Sequence, residues 1–224
     1  MRFNIYFTKP NVNIPINNQK ELNSFIHRCL GKDNKYHDTF SDYSISSLQG
    51  GKYDGNNALI FTEEPYITVS SLNFEFIGKM MYGVQFNNEK LFDMTVLRIE
   101  PLGEFNVRQY FDKVVTISPI LLKNIDRKTK LTIKDDLWLE RLNEQSKNKL
   151  KYIGIEDETF HIEIRNKEKA KTKNIHVGEV FNPSTMISLE IYGKPNTRIA
   201  LYNLGLGNST GSGFGAIKVY ENEF

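Results

Sequence analysis

Histidine is the side chain best suited to proton transfer at neutral pH, because its unperturbed pKa is about 6.5. Four histidines occur among the 224 residues. His27 and His37 lie close together in the N-terminal part and are the candidates for catalysis. His161 alternates with apolar Phe160 in a strand-like pattern, and His176 follows a basic stretch. A structural role, or a contact at the edge of a bound ligand, fits these two histidines better than catalysis.

Metal and redox chemistry have little support in the composition. The sequence contains no Cys/His cluster with zinc spacing, and we expect no metal site and no cofactor. Its single cysteine, Cys29, excludes an internal disulfide and is typical of a reducing cytoplasm. No run approaches the roughly 18 apolar residues of a membrane span, and the N-terminus lacks the apolar core of a signal peptide. We therefore expect a cytoplasmic protein without a membrane partner.

A glycine-rich stretch near the C-terminus, the glycine segment (203–215), has the second chemically useful pattern. Five of the chain's 15 glycines fall within it. Such a loop brings backbone amides close to an anion such as a phosphate. A flexible surface linker is the alternative, but apolar Leu204, Leu206 and Phe214 argue against it. A dinucleotide-binding turn is disfavoured because the chain ends after one short strand.

Positive charge is concentrated in the second half of the chain. The formal net charge is only +2, but residues 1–111 carry −1 and residues 112–224 carry +3. The basic run (165–173) holds five basic residues and one acidic residue. It is either a solvated loop or a hairpin that contacts phosphates. A second basic cluster follows residue 126 and is formed by Arg127, Lys128, Lys130 and Lys134.

The elements that must position these residues are predicted from hydrophobic periodicity. Alternation over Arg2–Thr8 predicts a strand. Helical spacing from Asn18 to Leu30 predicts a helix that places His27 off its apolar face. The other elements expected in this half are strands at 41–48, 59–61, 66–69 and 91–105 and a helix after residue 71.

We expect the same order of elements to repeat in the second half. The expected elements there are a strand at 114–120, a helix opened by Asp135 and Asp136, strands at 159–165 and 186–192, a helix at 196–204 and a final strand. Strand–helix–strand–strand–helix–strand is the ferredoxin-like order. We predict an α+β fold of two tandem ferredoxin-like (βαββαβ) domains, residues 1–108 and 109–224.

The spacing of Gly205, Gly207, Gly213, Phe214 and Gly215 before a closing strand resembles the C-terminal signature of a known family. This family comprises the CRISPR-associated RNA-processing endoribonucleases, the sixth Cas family within the RAMP superfamily. The resemblance extends over most of the chain, through segments similar to the family's first helix (16–30), its histidine loop and following strand (36–48), and the strands before its second and last helices (67–71 and 189–193).

The resemblance implies metal-independent cleavage of CRISPR repeat transcripts into guide RNAs. The RNA 2′-hydroxyl would attack the phosphate, leaving a 2′,3′-cyclic phosphate and a 5′-hydroxyl. His37 matches the family's catalytic histidine. His27 stands where the family often has tyrosine, and it is either a second catalytic residue or a surface histidine.

For the cation that would stabilise the transition state, the sequence departs from the family pattern, because 38–43 contains no lysine where many relatives have one. Lys52 is the nearest candidate, with Lys35 and Arg28 behind it. Tyr36, Tyr43 and Ser44 are alternatives that would donate hydrogen bonds. If His27 is not catalytic, Tyr43 is the first candidate for the general acid that would act with His37.

RNA binding is assigned to two surfaces. The glycine segment would present amides to phosphates, and the basic run would form a hairpin that meets the base of an RNA stem. The basic residues proposed to bind RNA are Arg165, Lys167, Lys169, Lys171 and Lys173.

Two other function classes stay open. One is a non-catalytic RNA-binding RAMP subunit of a multi-subunit CRISPR effector complex, although the histidine pair favours the enzyme. The other is a general single-strand RNA binder, for which we find no matching aromatic pattern. The expected partner is CRISPR repeat RNA, and the protein is expected to be a monomer or a homodimer.

Overall fold

The N-terminal sheet is built around its first strand, whose alternating Phe3, Ile5 and Phe7 side chains are fully buried. The structure is a computed structural model that describes residues 1–31, 34–36, 40–108 and 110–220. Strand β1 (Arg2–Phe7) lies between β5 (Ala58–Ser71) and β6 (Val96–Pro101) and is antiparallel to both. β2 (Ile14–Pro15), β3 (Tyr43–Ile45) and β4 (Gln49–Tyr53) all pair with β5.

Two helices cover one face of this sheet. α1 (Gln19–Leu30) buries Leu22, Phe25, Ile26 and Cys29, as its spacing predicts. α2 (Phe74–Phe86) begins at Asn73, whose side chain accepts hydrogen bonds from two backbone amides of the first turn. The helices approach closely at Gly83, where a Cβ atom would lie 1.8 Å from the Cys29 carbonyl oxygen.

The C-terminal domain repeats this arrangement with a four-stranded antiparallel sheet. β7 (Phe111–Thr116) lies between β13 (Ser188–Tyr192) and β14 (Ile217–Val219), and β10 (His161–Ile164) pairs with β13. α3 (Trp138–Tyr152) and α4 (Pro195–Leu204) are the two crossover helices. Both domains therefore have the ferredoxin-like fold, which confirms the predicted α+β class.

Two hairpins interrupt the second domain. β11 (Lys171–Val177) and β12 (Val180–Met186) form a two-stranded sheet between β10 and β13, and β8 (Leu122–Lys123) pairs with β9 (Lys130–Leu131). The sequence predicted neither β8, β9 nor the exact place of the longer hairpin. The sequence also split β5 into two pieces, because exposed Glu63 and half-buried Glu64 interrupt the apolar pattern of one continuous strand.

The two domains have separate hydrophobic cores, one from Phe3 to Met94 and one from Val114 to Ile217. The predicted boundary between residues 108 and 109 stays a prediction. A hydrogen-bonded seam joins the domains: the buried Arg2 guanidinium donates to the Ile217 carbonyl over 2.6 Å, and the Ser70 hydroxyl donates to the Asn203 carbonyl over 2.9 Å. In the described ranges, every helix is too short or too polar to cross a membrane.

Candidate functional site

A pocket of about 380 Å³ opens where the two domains meet. The N-terminal domain contributes α1 and the chain leading into β3, and the C-terminal domain contributes β8, α3 and the glycine segment. The described residues that line the pocket are Asn23, His27, Tyr36, Phe40, Ser41, Tyr43, Lys123, Gln145, Lys149, Gly207, Asn208, Ser209, Thr210 and Ser212. None of these carries a carboxylate.

His27 reaches this pocket because it lies off the apolar face of α1, as predicted. Its Nδ1 atom is 3.3 Å from the Oδ1 atom of Asn34. The Asn34 amide nitrogen donates to the Gly31 carbonyl over 2.6 Å, and the Tyr36 amide donates to Oδ1 over 3.1 Å. Because Asn34 thus presents its oxygen to the imidazole, Nδ1 carries the proton in neutral His27. Nε2 is then the basic nitrogen.

His37 lies outside the described residues. The residues that flank this gap, Tyr36 and Phe40, both line the pocket. Phe40 also packs on Tyr152 at the end of α3, with ring centroids 4.1 Å apart. The described residues on either side of His37 in the sequence therefore both lie at the pocket.

Tyr36 and Tyr43 belong to a packed aromatic cluster with Phe76. The Tyr43 ring stacks on Phe76 at 4.2 Å, and burial raises the pKa of Tyr43 to about 12. Burial also raises the pKa of Tyr36. Both phenols are therefore protonated at neutral pH. The buried Tyr36 hydroxyl has no hydrogen-bond partner within the described part of the chain.

The glycine segment is buried along most of its length. The segment residues that line the pocket are 207–210 and Ser212, whereas Gly205, Gly213, Phe214 and Gly215 are buried and do not line it. Phe214 is 1% exposed and packs with Leu121 and Ile175. The described structure therefore gives these four residues a packing role, and RNA contact by them stays a prediction.

Several amides in this segment are already engaged. Leu206 donates to Gly215, Asn208 donates to Leu121, and Gly215 donates to Pro119. An anion at the pocket would therefore meet the amides of Gly207, Ser209 and Thr210 rather than the whole segment.

Two lysines supply positive charge to the pocket. Lys123 comes from β8, and Lys149 comes from the last turn of α3. Neither lysine is among the site residues predicted from the sequence. Lys149 had a recognisable signal, because its spacing from Trp138 and Leu142 puts a lysine on the apolar face of its helix.

The predicted cations of the N-terminal domain lie elsewhere. Lys52 is exposed in β4 opposite Ile60 and does not line the pocket. The Lys35 ammonium forms an ion pair with Glu75 at 2.5 Å, and Arg28 forms one with Glu89 at 2.6 Å. The structure thus brings His27 and Tyr43 together and leaves Lys52 apart from them.

The basic run does not form the hairpin that was predicted from it. Residues 165–170 connect β10 to β11, and only Lys171 and Lys173 lie in a hairpin strand. The hairpin turn instead contains Gly178 and Glu179. The lysines at 167, 169, 171 and 173 are exposed, whereas the Arg165 guanidinium stacks over Tyr220 at 4.1 Å.

Part of the second basic cluster connects the pocket to this hairpin. Lys130 of β9 lies opposite the pocket residue Lys123 of β8 in their two-stranded sheet. The Lys130 ammonium donates a hydrogen bond to the Phe181 carbonyl near the hairpin turn. The remaining histidines lie apart from the pocket: His161 stacks on Tyr192 at 4.4 Å, and His176 packs near Phe181.

A family model matches the C-terminal half of the chain. The model, described as CRISPR associated protein Cas6, C-terminal, matches residues 105–219, which include the basic run and the glycine segment. Among curated proteins, no sequence match is found.

Solved structures resemble the whole chain. One, described as CRISPR associated protein Cas6, has a TM-score of 0.81 at 20% identity and covers 99% of both chains. A Cas6-related protein from Pyrococcus furiosus has a TM-score of 0.84 at 23% identity and covers 100% of this chain and 99% of its own. A RAMP protein described as binding different RNA substrates has a TM-score of 0.83 at 21% identity over 99% of this chain and 100% of its own. These likenesses establish the fold.

Proposed function

Because this chain belongs to the Cas6 family, we propose that it is an endoribonuclease that cleaves CRISPR repeat RNA by attack of a 2′-hydroxyl. The observation that carries the proposal is the pocket at the domain junction. It combines an oriented imidazole, the two residues that flank His37, and two lysines. A protein that only binds RNA has no need for an oriented base.

His27 is proposed as the general base. Its Nε2 atom accepts the proton of the 2′-hydroxyl while the 2′-oxygen bonds to the neighbouring phosphorus. The bond from phosphorus to the 5′-oxygen then breaks, and a general acid protonates that oxygen. The products are a 2′,3′-cyclic phosphate and a 5′-hydroxyl.

His37 is proposed as the general acid, since it follows the pocket residue Tyr36 directly in the chain. Tyr43 is the weaker alternative, because a phenol with a pKa near 12 donates its proton to the leaving oxygen less readily than an imidazolium does. The negative charge that develops on the phosphate would be stabilised from the C-terminal side of the pocket, where Lys123 and Lys149 lie.

Metal independence is part of the proposal. The described pocket residues offer imidazole, hydroxyl, amide and ammonium groups, which suit proton transfer and anion binding rather than Mg²⁺ coordination. A labelled repeat RNA should therefore be cut equally well with and without EDTA. Loss of activity in EDTA that magnesium restores would contradict this mechanism.

The nucleophile is tested with a repeat RNA that carries 2′-deoxyribose just upstream of the cut. We expect it to bind and to stay intact. His37→Ala should slow single-turnover cleavage of the normal substrate by roughly 10²–10⁴. Tight binding of the normal substrate without cleavage would instead favour the alternative, a non-catalytic RNA-binding subunit of an effector complex.

A further inference from the structure

The side chain of Lys149 is 3% exposed, although lysine is rarely buried without an acidic partner. Its neighbours on the same helix, Lys147 and Lys151, are exposed. Three oxygen atoms surround its Nζ atom: the Gly205 carbonyl at 3.1 Å, and the Leu204 carbonyl and Thr210 hydroxyl, both at 3.5 Å.

These three oxygens match an ammonium group rather than a neutral amine. The two carbonyls can only accept hydrogen bonds, and the Thr210 hydroxyl donates its own proton to the Tyr43 carbonyl over 2.9 Å. An ammonium offers three protons to three acceptors, whereas an amine would direct its lone pair at one of them. Burial acts in the opposite direction and lowers the pKa of Lys149 to about 7.

The same contacts join the two sides of the pocket. Lys149 connects α3 to the end of α4 and to Thr210, and Thr210 connects to Tyr43 of β3 in the other domain. The glycine segment between these points is the part that would present amides to a phosphate.

We propose that Lys149 is a positioning residue for RNA: its ammonium holds 204–210 against Tyr43 and provides buried positive charge for one phosphate of the bound RNA. This inference rests on the proposed function, because it takes RNA as the ligand. Lys149 acts through the glycine segment and is not assigned a proton-transfer step.

The charged and titratable groups around the pocket determine how this binding depends on pH. Among the described lining residues they are His27 of α1, Tyr36 before β3, Tyr43 of β3 and Lys123 of β8. None is anionic at neutral pH, so in the described pocket only burial acts on the charge of Lys149, and it disfavours that charge. An arriving phosphate reverses this balance and favours protonated Lys149. RNA binding near pH 7 to 8 should therefore take up a proton.

The test uses Lys149→Met, Lys149→Arg and, as a matched control on the same helix, Lys147→Met. The dissociation constant for the uncleavable 2′-deoxy repeat RNA is measured from pH 6 to 9 at fixed ionic strength. For the wild type we expect affinity to fall by roughly tenfold as Lys149 loses its proton. Lys149→Met should bind at least tenfold more weakly at pH 6.5 and lose that part of the pH dependence. Lys149→Arg should stay tight at high pH, and Lys147→Met should behave like the wild type.

Measuring folding stability distinguishes a role in positioning RNA from a purely structural role. As the pH rises, folding stability should increase, whereas RNA affinity should decrease. The unfolded lysine keeps its ordinary pKa of about 10.5, so the unfolded chain binds more protons between pH 7 and 10.5. The wild type should therefore gain stability relative to Lys149→Met across this window while its RNA affinity falls.

If Lys149→Met fails to fold, calorimetry of the wild type in two buffers with different ionisation enthalpies measures the proton uptake directly. A folded Met variant with wild-type affinity and pH dependence, or a wild type that takes up no proton beyond its histidines, would overturn the inference even if cleavage proceeds. Tight, Lys149-dependent binding without cleavage would overturn the enzyme proposal alone.

Discussion

At the scale of single residues, Asn34 is the described residue that orients the His27 ring through Nδ1. Asn34 accepts from Nδ1 and is itself fixed by the Gly31 carbonyl at the end of α1. A base held in one tautomer by a second group is the arrangement that efficient proton transfer requires. His161, by comparison, stacks on Tyr192 on the exposed face of the C-terminal sheet.

We predict that His27→Ala slows single-turnover cleavage by roughly 10²–10⁴ with little change in RNA affinity. Asn34→Ala should slow it less, because the imidazole remains but loses its fixed orientation. His161→Ala is the control and should keep the wild-type rate. Rates are measured at saturating protein across pH 5 to 9, where His27→Ala should lose one limb of the profile. A wild-type rate and profile in His27→Ala would make His27 a surface residue.

At the scale of elements, the glycine segment is constrained by close contacts rather than by flexibility. At Gly215, where φ is +65°, a Cβ atom would lie 1.8 Å from the Leu206 carbonyl oxygen. At Gly211 it would lie 2.7 Å from the Tyr43 ring. The segment therefore needs glycine in order to pack between α4, β3 and the pocket.

We predict that Gly215→Ala destabilises the protein by about 2–4 kcal/mol, because backbone atoms of Leu206 must move and the positive φ is strained. Gly154→Ala is the matched control. It also has a positive φ, of +77°, but nothing lies within 4 Å of its Cβ position, so it should cost only about 1–2 kcal/mol. Urea denaturation of both variants measures the difference, and equal losses would show that the contact at Gly215 is unimportant.

The basic run is the second element with a separable role. Replacing Lys167, Lys169, Lys171 and Lys173 with alanine should weaken RNA binding and flatten its dependence on salt, since fewer counterions are released. Replacing four exposed lysines of the N-terminal domain, Lys9, Lys20, Lys79 and Lys90, removes the same charge and should change the salt slope less. Equal effects of both quadruple variants would identify the basic run as an ordinary solvated loop.

At the scale of the whole molecule, the pocket exists only while the two domains keep their relative position. The buried Arg2 guanidinium of β1 contributes to this by donating to the Ile217 and Tyr202 carbonyls and lying 4.2 Å over the Tyr202 ring. These contacts bind the first strand of one domain to the last helix and strand of the other.

We predict that Arg2→Met lowers the free energy of unfolding by about 1–3 kcal/mol, because one buried and one partly buried carbonyl lose their donor. Arg98→Met is the control. Arg98 is exposed and lies over a tyrosine ring, Tyr6, but its ion pairs are confined to the N-terminal sheet. Thermal unfolding should show a single transition in the wild type. A wild-type melting temperature in Arg2→Met would mean that other contacts hold the domains.

Local patterns in the sequence were sufficient for the fold. The alternation of Phe3, Ile5 and Phe7, the helical spacing in α1, and the order of elements predicted two ferredoxin-like domains, because apolar periodicity reports which face of each element is buried. Contacts between elements were harder to predict from the sequence. Two glutamates, Glu63 and Glu64, hid the continuity of β5, and nothing in the run 165–173 showed that it leads into the first strand of a hairpin rather than forming the hairpin itself.

Some residues of the candidate site were likewise predicted from the sequence, and others were not. His27 and Tyr43 were found from residue type and position, and both line the pocket, whereas His37 lies outside the described residues. Lys149 and Asn34 could not be assigned a role from the sequence. The three oxygens around Lys149 come from α4 and the glycine segment, more than 50 residues away in the chain, and the role of Asn34 depends on how the chain turns at the end of α1. Residue types determine which chemistry is available, but only the packing of the two domains decides which groups share one pocket, because that choice depends on long-range burial that no local pattern encodes.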